Sequence, residues 1–321
     1  MRGPRLTEEN LRNQVDVVKE EIRVNVMNRP YGAFPWLKLP PVMFDTFPNA
    51  HDGYGSFVDL ESATVDDARD FFEHYYAASN AVLSVSGEFD VAEATALIER
   101  HFGDVPKRAA PKRPGFDEPD LTAERRDAYT DGLAPLPAVA AGWRVPDPVG
   151  DFTGYLPYVV LAEVLTDGDA SRLIRRLIQE DRSATSVGGY IGFMGEPFEV
   201  RGPTALVLQA HLPPAGDVDK VLATVDEECE RIAERGLDPG ELERTLARLV
   251  THLLRESDPV LGRALRMAVL EIQRGDATVM NDLPALLGEV TAEQVVAAAA
   301  TMRPHRRASV EVRPGAGGTG R

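Results

Sequence analysis

Residues 10–32 read NLRNQVDVVKEEIRVNVMNRPYG. At about 100° per residue, the helical repeat, Val24, Val17, Glu21, Gln14, Val18, Leu11, Ile22 and Val15 fall on one side. Asn13, Glu20, Asp16, Arg23, Arg12 and Lys19 fall on the other. The two adjacent glutamates are therefore not equivalent. Glu20 lies in the charged arc, whereas Glu21 lies in the middle of the apolar arc, two turns along from Gln14. A carboxylate there loses its hydration, which is costly unless a metal, an arginine or several donors replace it. The pattern leaves two readings open: a surface residue that snorkels outward, or a ligand.

The run Gln14-Val15-Asp16-Val17-Val18-Lys19-Glu20-Glu21-Ile22, followed by Asn28-Arg29-Pro30-Tyr31-Gly32, resembles the M16 metallopeptidases, the family of insulinase, pitrilysin and the mitochondrial processing peptidases. In that family two histidines of an inverted HxxEH motif and a glutamate on a later helix hold a zinc ion. The resemblance puts Glu21 in the place of that glutamate, as a metal ligand, and Gln14 where a second acidic residue is frequent. No HxxEH occurs in the 321 residues. The resemblance begins abruptly at the glutamate helix, so it implies an N-terminally truncated metal-holding chain. Zinc is then expected only if the HxxEH segment is supplied, because one carboxylate cannot hold it. The chain as written should not hydrolyse peptides by itself.

A second stretch, Asp167-Gly168-Asp169-Ala170-Ser171-Arg172-Leu173 and then Ser183-Ala-Thr-Ser-Val187, resembles the second M16 domain. Many active members carry there an arginine and, seven residues on, a tyrosine that contact the substrate backbone. Those positions hold Ile178 and Thr185 here. Isoleucine has no donor and threonine is too short. The resemblance thus implies the zinc-holding partner of a two-chain peptidase acting on peptides or unfolded segments. The expected partners are a second M16-like subunit or a self-dimer, and a peptide substrate. The alternative is a non-catalytic interaction or scaffold subunit.

Composition agrees with a globular chain: 43% hydrophobic and 27% charged residues. A net charge of −16 argues against nucleic-acid or anionic-membrane binding, which needs a basic face. No stretch approaches the roughly 20 apolar residues of a membrane span. The opening MRGPRLTEEN has no signal-peptide core, so a cytoplasmic location is expected. The single cysteine, Cys229, excludes internal disulfides and, among Asp226, Glu227, Glu228 and Glu230, reads as a packing residue. Arg172 to Arg176 reads as the outer face of a helix.

Four segments are expected. Residues 1–108 form the later part of an M16 zinc domain, 109–135 a proline-rich linker, 136–314 a second M16 domain, and 315–321 a disordered tail. Within the first, 33–56 is an irregular crossing segment with His51 in a loop, and Thr64 caps a helix with an apolar stripe of Ala68, Phe71, Phe72 and Tyr75. Residues 80–87 alternate like a strand, and Asp90 opens another helix. His74 and His101 sit late in these helices. The second domain offers strands at 138–145, 204–212 and 308–312 and helices at 154–165, 216–234, 238–256 and 259–274. His211 and His252 have no partner set in the sequence. A threonine-capped helix precedes a strand at the same offset of 17 twice, Thr64 to Ala81 and Thr291 to Ala308. That repeat agrees with two related α/β domains, an α+β fold of helices layered on a mixed, mainly antiparallel sheet, the first of them incomplete.

Overall fold

The computed structural model describes residues 3–113, 115–192 and 197–315. The tail expected at 315–321 lies, from residue 316 on, outside the described residues. The protein is α+β with one mixed five-stranded sheet. By compactness it divides into two units interleaved in sequence. One comprises Met1–Arg23, Gly53–Gly115 and Arg255–Met280; the other comprises Val24–Asp52, Phe116–Leu254 and Asn281–Arg321.

The second unit is built on the sheet: β1 (Arg125–Asp131), β2 (Ala138–Val145), β3 (Ser186–Ile191), β4 (Thr204–His211) and β5 (Arg307–Pro314), in the order β1-β5-β2-β4-β3. Only β1 and β5 run parallel. Strand β2, AVAAGWRV, is apolar on both faces because both are covered. Its Ala138 and Ala140 face a layer made by Phe34, Leu39, Met43 and Phe44, together with Ala205, Val207, Val310 and Val312 of the neighbouring strands. Small residues on the strand let that layer approach closely, and a Cβ at Gly142 would meet Met43. Val139, Ala141 and Trp143 face the opposite side, where helices Phe152–Thr166, Val218–Arg235 and Ala292–Thr301 pack on one another and on the sheet.

Two expectations need correction here. The stretch 109–135 is not a plain linker, since Arg125–Asp131 forms an edge strand paired through its backbone to β5. Its charged residues hide that pairing, which runs through the backbone while Tyr129 packs against the core layer. Residues 24–52 also belong with the second unit, because their apolar side chains cover its sheet.

The first unit holds helices Glu8–Ile22, Phe57–Ser62, Val65–Tyr75, Val91–Phe102 and Val260–Arg274. Their starts are capped as the sequence indicates: Thr64 and Asp67 form a capping box, and Asp90 accepts from the Glu93 N–H at 2.8 Å. Among its described residues the buried apolar ones are Ile22, Ala77 and Leu270, whereas Phe71 and Tyr75 of the apolar stripe are exposed and pack on each other, ring centroids 4.7 Å apart. Residues 80–87 do not form a strand: 78–80 make a 3-10 turn and 82–87 pair with no strand among the described residues. Alternation marks a segment fit for a sheet, but a strand exists only with a neighbour to bond.

Candidate functional site

Glu21 lies in the last turn of helix Glu8–Ile22, which Thr7 caps by accepting from the Asn10 N–H. The helix turns its Leu11, Val15, Val18, Lys19 and Ile22 inward and leaves Gln14, Val17 and Glu21 exposed. The covered arc is therefore rotated away from Glu21, and the expected desolvation of its carboxylate does not occur. The cause is helix Phe57–Ser62 beside it. Lys19 reaches across to Glu61 at 2.5 Å and lies 5.4 Å from the Phe57 ring, so a charged residue takes the inward position by burying its stem. The Glu21 carboxylate accepts from the Tyr54 hydroxyl at 3.1 Å. Desolvation and then this carboxylate push the Tyr54 pKa up.

Among the described residues no group of three His, Cys, Asp or Glu side chains is placed to share a metal ion. A zinc site needs three protein ligands, so these residues do not fit zinc by themselves, and Glu21 offers one carboxylate. The histidines are occupied locally. His51 Nδ1 lies 2.8 Å from the Phe47 carbonyl, with its ring stacked on Phe47, and His74 Nδ1 lies 2.7 Å from the Asp70 carbonyl.

The Asn28-Arg-Pro-Tyr-Gly32 motif is a structural clamp in the second unit. Tyr31 has φ 58, and its backbone N–H donates to the Asp131 carboxylate at 2.8 Å. Its hydroxyl donates to the Leu136 carbonyl at 2.8 Å and accepts from the Leu136 N–H at 3.0 Å. Gly32 is required there, since a Cβ would run into the Val26 carbonyl. His211 packs edge-on against Tyr31 at 4.6 Å and pairs across the strands with Ser186 Oγ at 2.9 Å. Burial lowers the His211 pKa, so the ring is neutral at pH 7.

The second sequence motif divides between surface and core. Ile178 is half-buried in the π-helix Ile174–Glu180, and Thr185 donates its hydroxyl to the His211 carbonyl at 3.1 Å. Arg172 is not on an outer face. It is 3% exposed, with Nε and Nη2 donating to both Glu241 oxygens at 2.9 and 2.6 Å. A helix-surface reading missed it because Glu241 is 69 residues away.

A cluster that sequence spacing could not reveal lies between helices Phe152–Thr166 and Glu241–Ser257. Glu163 and Asp167 of the first element face Arg248 and His252 of the second, with Arg248 Nε 3.2 Å from Asp167. Gly168, at φ 78, opens the space that Arg248 fills. Burial, reinforced by Asp167, pushes Glu163 up to about 7 against the weaker pull of Arg248 and His252. A carboxyl raised in the folded state is stabilising while protonated, and that contribution is lost as pH climbs from the unfolded value through about 7. Glu163→Gln should therefore gain on the parent between pH 5 and pH 8, by on the order of 2 kcal/mol. Urea unfolding at the two pH values reads this, and a constant difference would contradict the placement of Glu163. Cys229 is buried as expected, its thiol pushed up to about 12 by burial and then by Asp226 and Glu228.

The family model for the peptidase M16 inactive domain matches residues 62–249. The chain belongs to the M16 peptidase family. Ile178 and Thr185 lie within the matched stretch and Glu21 lies outside it. Among solved structures, this M16 chain is similar to a protease from Helicobacter pylori, with TM-score 0.86 and 19% identity, over 98% of this chain and 74% of that one. It is similar to a peptidase M16 inactive domain from Pseudomonas fluorescens, with TM-score 0.78 and 18% identity, over 97% and 72%. It also resembles the periplasmic protease PqqL of Escherichia coli, with TM-score 0.73 and 14% identity, over 97% of this chain but 35% of that one. At these identities the likeness is one of fold. No curated protein matches the sequence.

Proposed function

We infer that this M16 chain serves as the metal-holding subunit of a zinc-dependent peptidase that acts on peptides or unfolded segments. In this reading it hydrolyses nothing alone and contributes Glu21 once polypeptide carrying HxxEH is supplied. The observation that supports it is the exposed strip Gln14, Val17 and Glu21 on a capped helix, with the Glu21 carboxylate held by a single hydroxyl. Val17 is 52% exposed beside it, an apolar residue left for other polypeptide to cover. The chain's own part is to hold and orient that carboxylate, which Tyr54 does from one side.

The test is zinc content after dialysis. The chain alone should bind no stoichiometric zinc. Co-purified with an M16 segment that carries HxxEH, it should bind one ion, and Glu21→Gln should lose it. Unchanged zinc in that variant would remove Glu21 from the ligand set. A non-catalytic scaffold subunit is the second reading. It is favoured by Ile178 and Thr185, which cannot hold a substrate backbone as an arginine and tyrosine would, and it predicts that the HxxEH segment confers no zinc at all.

A further inference from the structure

Where helix Val218–Arg235 begins, the helix side of β1 and β5 carries a trough of about 790 Å³, a volume that suits a small molecule. Strand alternation builds it. Ala308, Val310 and Val312 turn to the Phe34 layer, so Ser309, Glu311 and Arg313 turn to the helix side, with Arg126 paired opposite Ser309 on β1. Val139 of β2 and Leu222 of the helix supply an apolar floor, and Asp217 to Asp219 form an end wall. All of it belongs to the second unit and none of it to the strip that carries Glu21, so the trough stands apart from the zinc reading.

Charge decides what the trough can take. Four carboxylates line it, Asp127, Asp217, Asp219 and Glu311, against two guanidiniums, Arg126 and Arg313. Both cations are already engaged. Arg126 pairs with Asp219 and, at 3.0 Å, with Glu124, and Arg313 donates to the two Glu311 oxygens at 2.8 and 3.3 Å. Asp217 Oδ1 accepts from the Asp219 and Lys220 N–H groups at 2.9 and 3.2 Å, which caps the helix and leaves its Oδ2 to the trough. A helix start carries about half a positive charge, which Asp217 and Asp219 outweigh. Ser309 is an independent feature. It is 3% exposed, its side chain lines the floor, and its hydroxyl bonds to no other described residue. Buried polar groups are rarely left unmet, and this one opens only to the trough.

We propose that the trough binds an unbranched aliphatic amine, its ammonium held by Ser309 Oγ and the surrounding carboxylates and its methylene stem laid over Val139 and Leu222. An ammonium brings three donors and no acceptor, which matches a hydroxyl and carboxylate oxygens where the protein's own donors are taken. The net charge of −16 draws cations to the molecule. An anion would have to displace Asp219 or Glu311 from its arginine and would still face Asp217. A free polyamine and a lysine side chain share the fitting chemistry.

The test is calorimetric titration of the full chain with spermidine and with Nα-acetyl-lysine amide. Spermidine should bind at one saturable site, and Ser309→Ala and Asp217→Asn should each weaken it by about tenfold. Asparagine still caps a helix and alanine removes only the hydroxyl, so both variants should keep the parent's thermal midpoint. Asp70→Asn, which removes an exposed acid of the other unit, should leave the affinity unchanged. Lysine amide binding as tightly as spermidine would assign the site to lysine side chains, and binding of spermidine alone would assign it to a free polyamine. No saturable binding of either amine would overturn the proposal. So would unchanged affinity in Ser309→Ala, or an equal loss in Asp70→Asn, which would mark diffuse attraction to an acidic chain.

Discussion

Replacing Arg307 by alanine is expected to cost about 3–5 kcal/mol of unfolding free energy, the range for removing one partner of a buried ion pair. The guanidinium is 2% exposed at the head of β5. Nε donates to Glu124 at 2.8 Å, Nη1 to both Asp226 oxygens at 2.8 and 3.0 Å, and the group lies 5.9 Å from the Trp143 ring. The two carboxylates respond differently. Burial pushes Asp226 up more than Arg307 pulls it down, whereas for Glu124 burial is outweighed by hydrogen bonds from Arg126 and Arg307 and its pKa falls. Without the cation both acids are left partly buried side by side. Arg307→Lys should recover only part of the loss, because an ammonium cannot serve two carboxylates with a planar fork. Urea unfolding decides it, and a loss under about 1 kcal/mol would mean that the site relaxes into water.

Trp143→Ala should be as damaging, at about 3–5 kcal/mol. The side chain is 1% exposed, and its Nε1 donates to the Arg303 carbonyl at 3.2 Å. Alanine opens a cavity under the helix layer and strips that carbonyl of its donor. Trp143→Phe keeps most of the volume and isolates the hydrogen bond, at about 1 kcal/mol plus a small packing loss. Because Arg307 lies over Trp143, the double variant should lose less than the two single losses together. Strict additivity would show that the ring and the cation act independently.

The legible part of this fold is what neighbouring residues decide. Thr64, Asp90 and Thr291 announced their helices because a cap is a bond between residues three apart. Strands β2, β4 and β5 were legible as short apolar runs. What escaped depends on distant chain. β1 is charged and holds its place by backbone pairing, Arg172 is buried by Glu241, and His252 meets Glu163 only when two helices come together. Residues 82–87 fail in the opposite sense, carrying a strand's alternation without a neighbouring strand among the described residues. Glu21 was placed correctly on a helix, but the direction of that helix was set by Lys19 and Glu61, a pair 42 residues apart.

The layer formed by Phe34, Leu39, Met43 and Phe44 bears on how this protein can be cut. A fragment starting at residue 136 would keep β2 to β5 and the helices on one side, yet lose both β1 and the whole cover of the other side. Ala138, Ala140, Val207 and Val310 would then face water. Such a piece would be a sheet with one cover, prone to stick to its own kind along the bared edge of β5. The smallest autonomous version of the second unit must bring residues 24–52 with it, although dozens of residues of the other unit intervene in the chain.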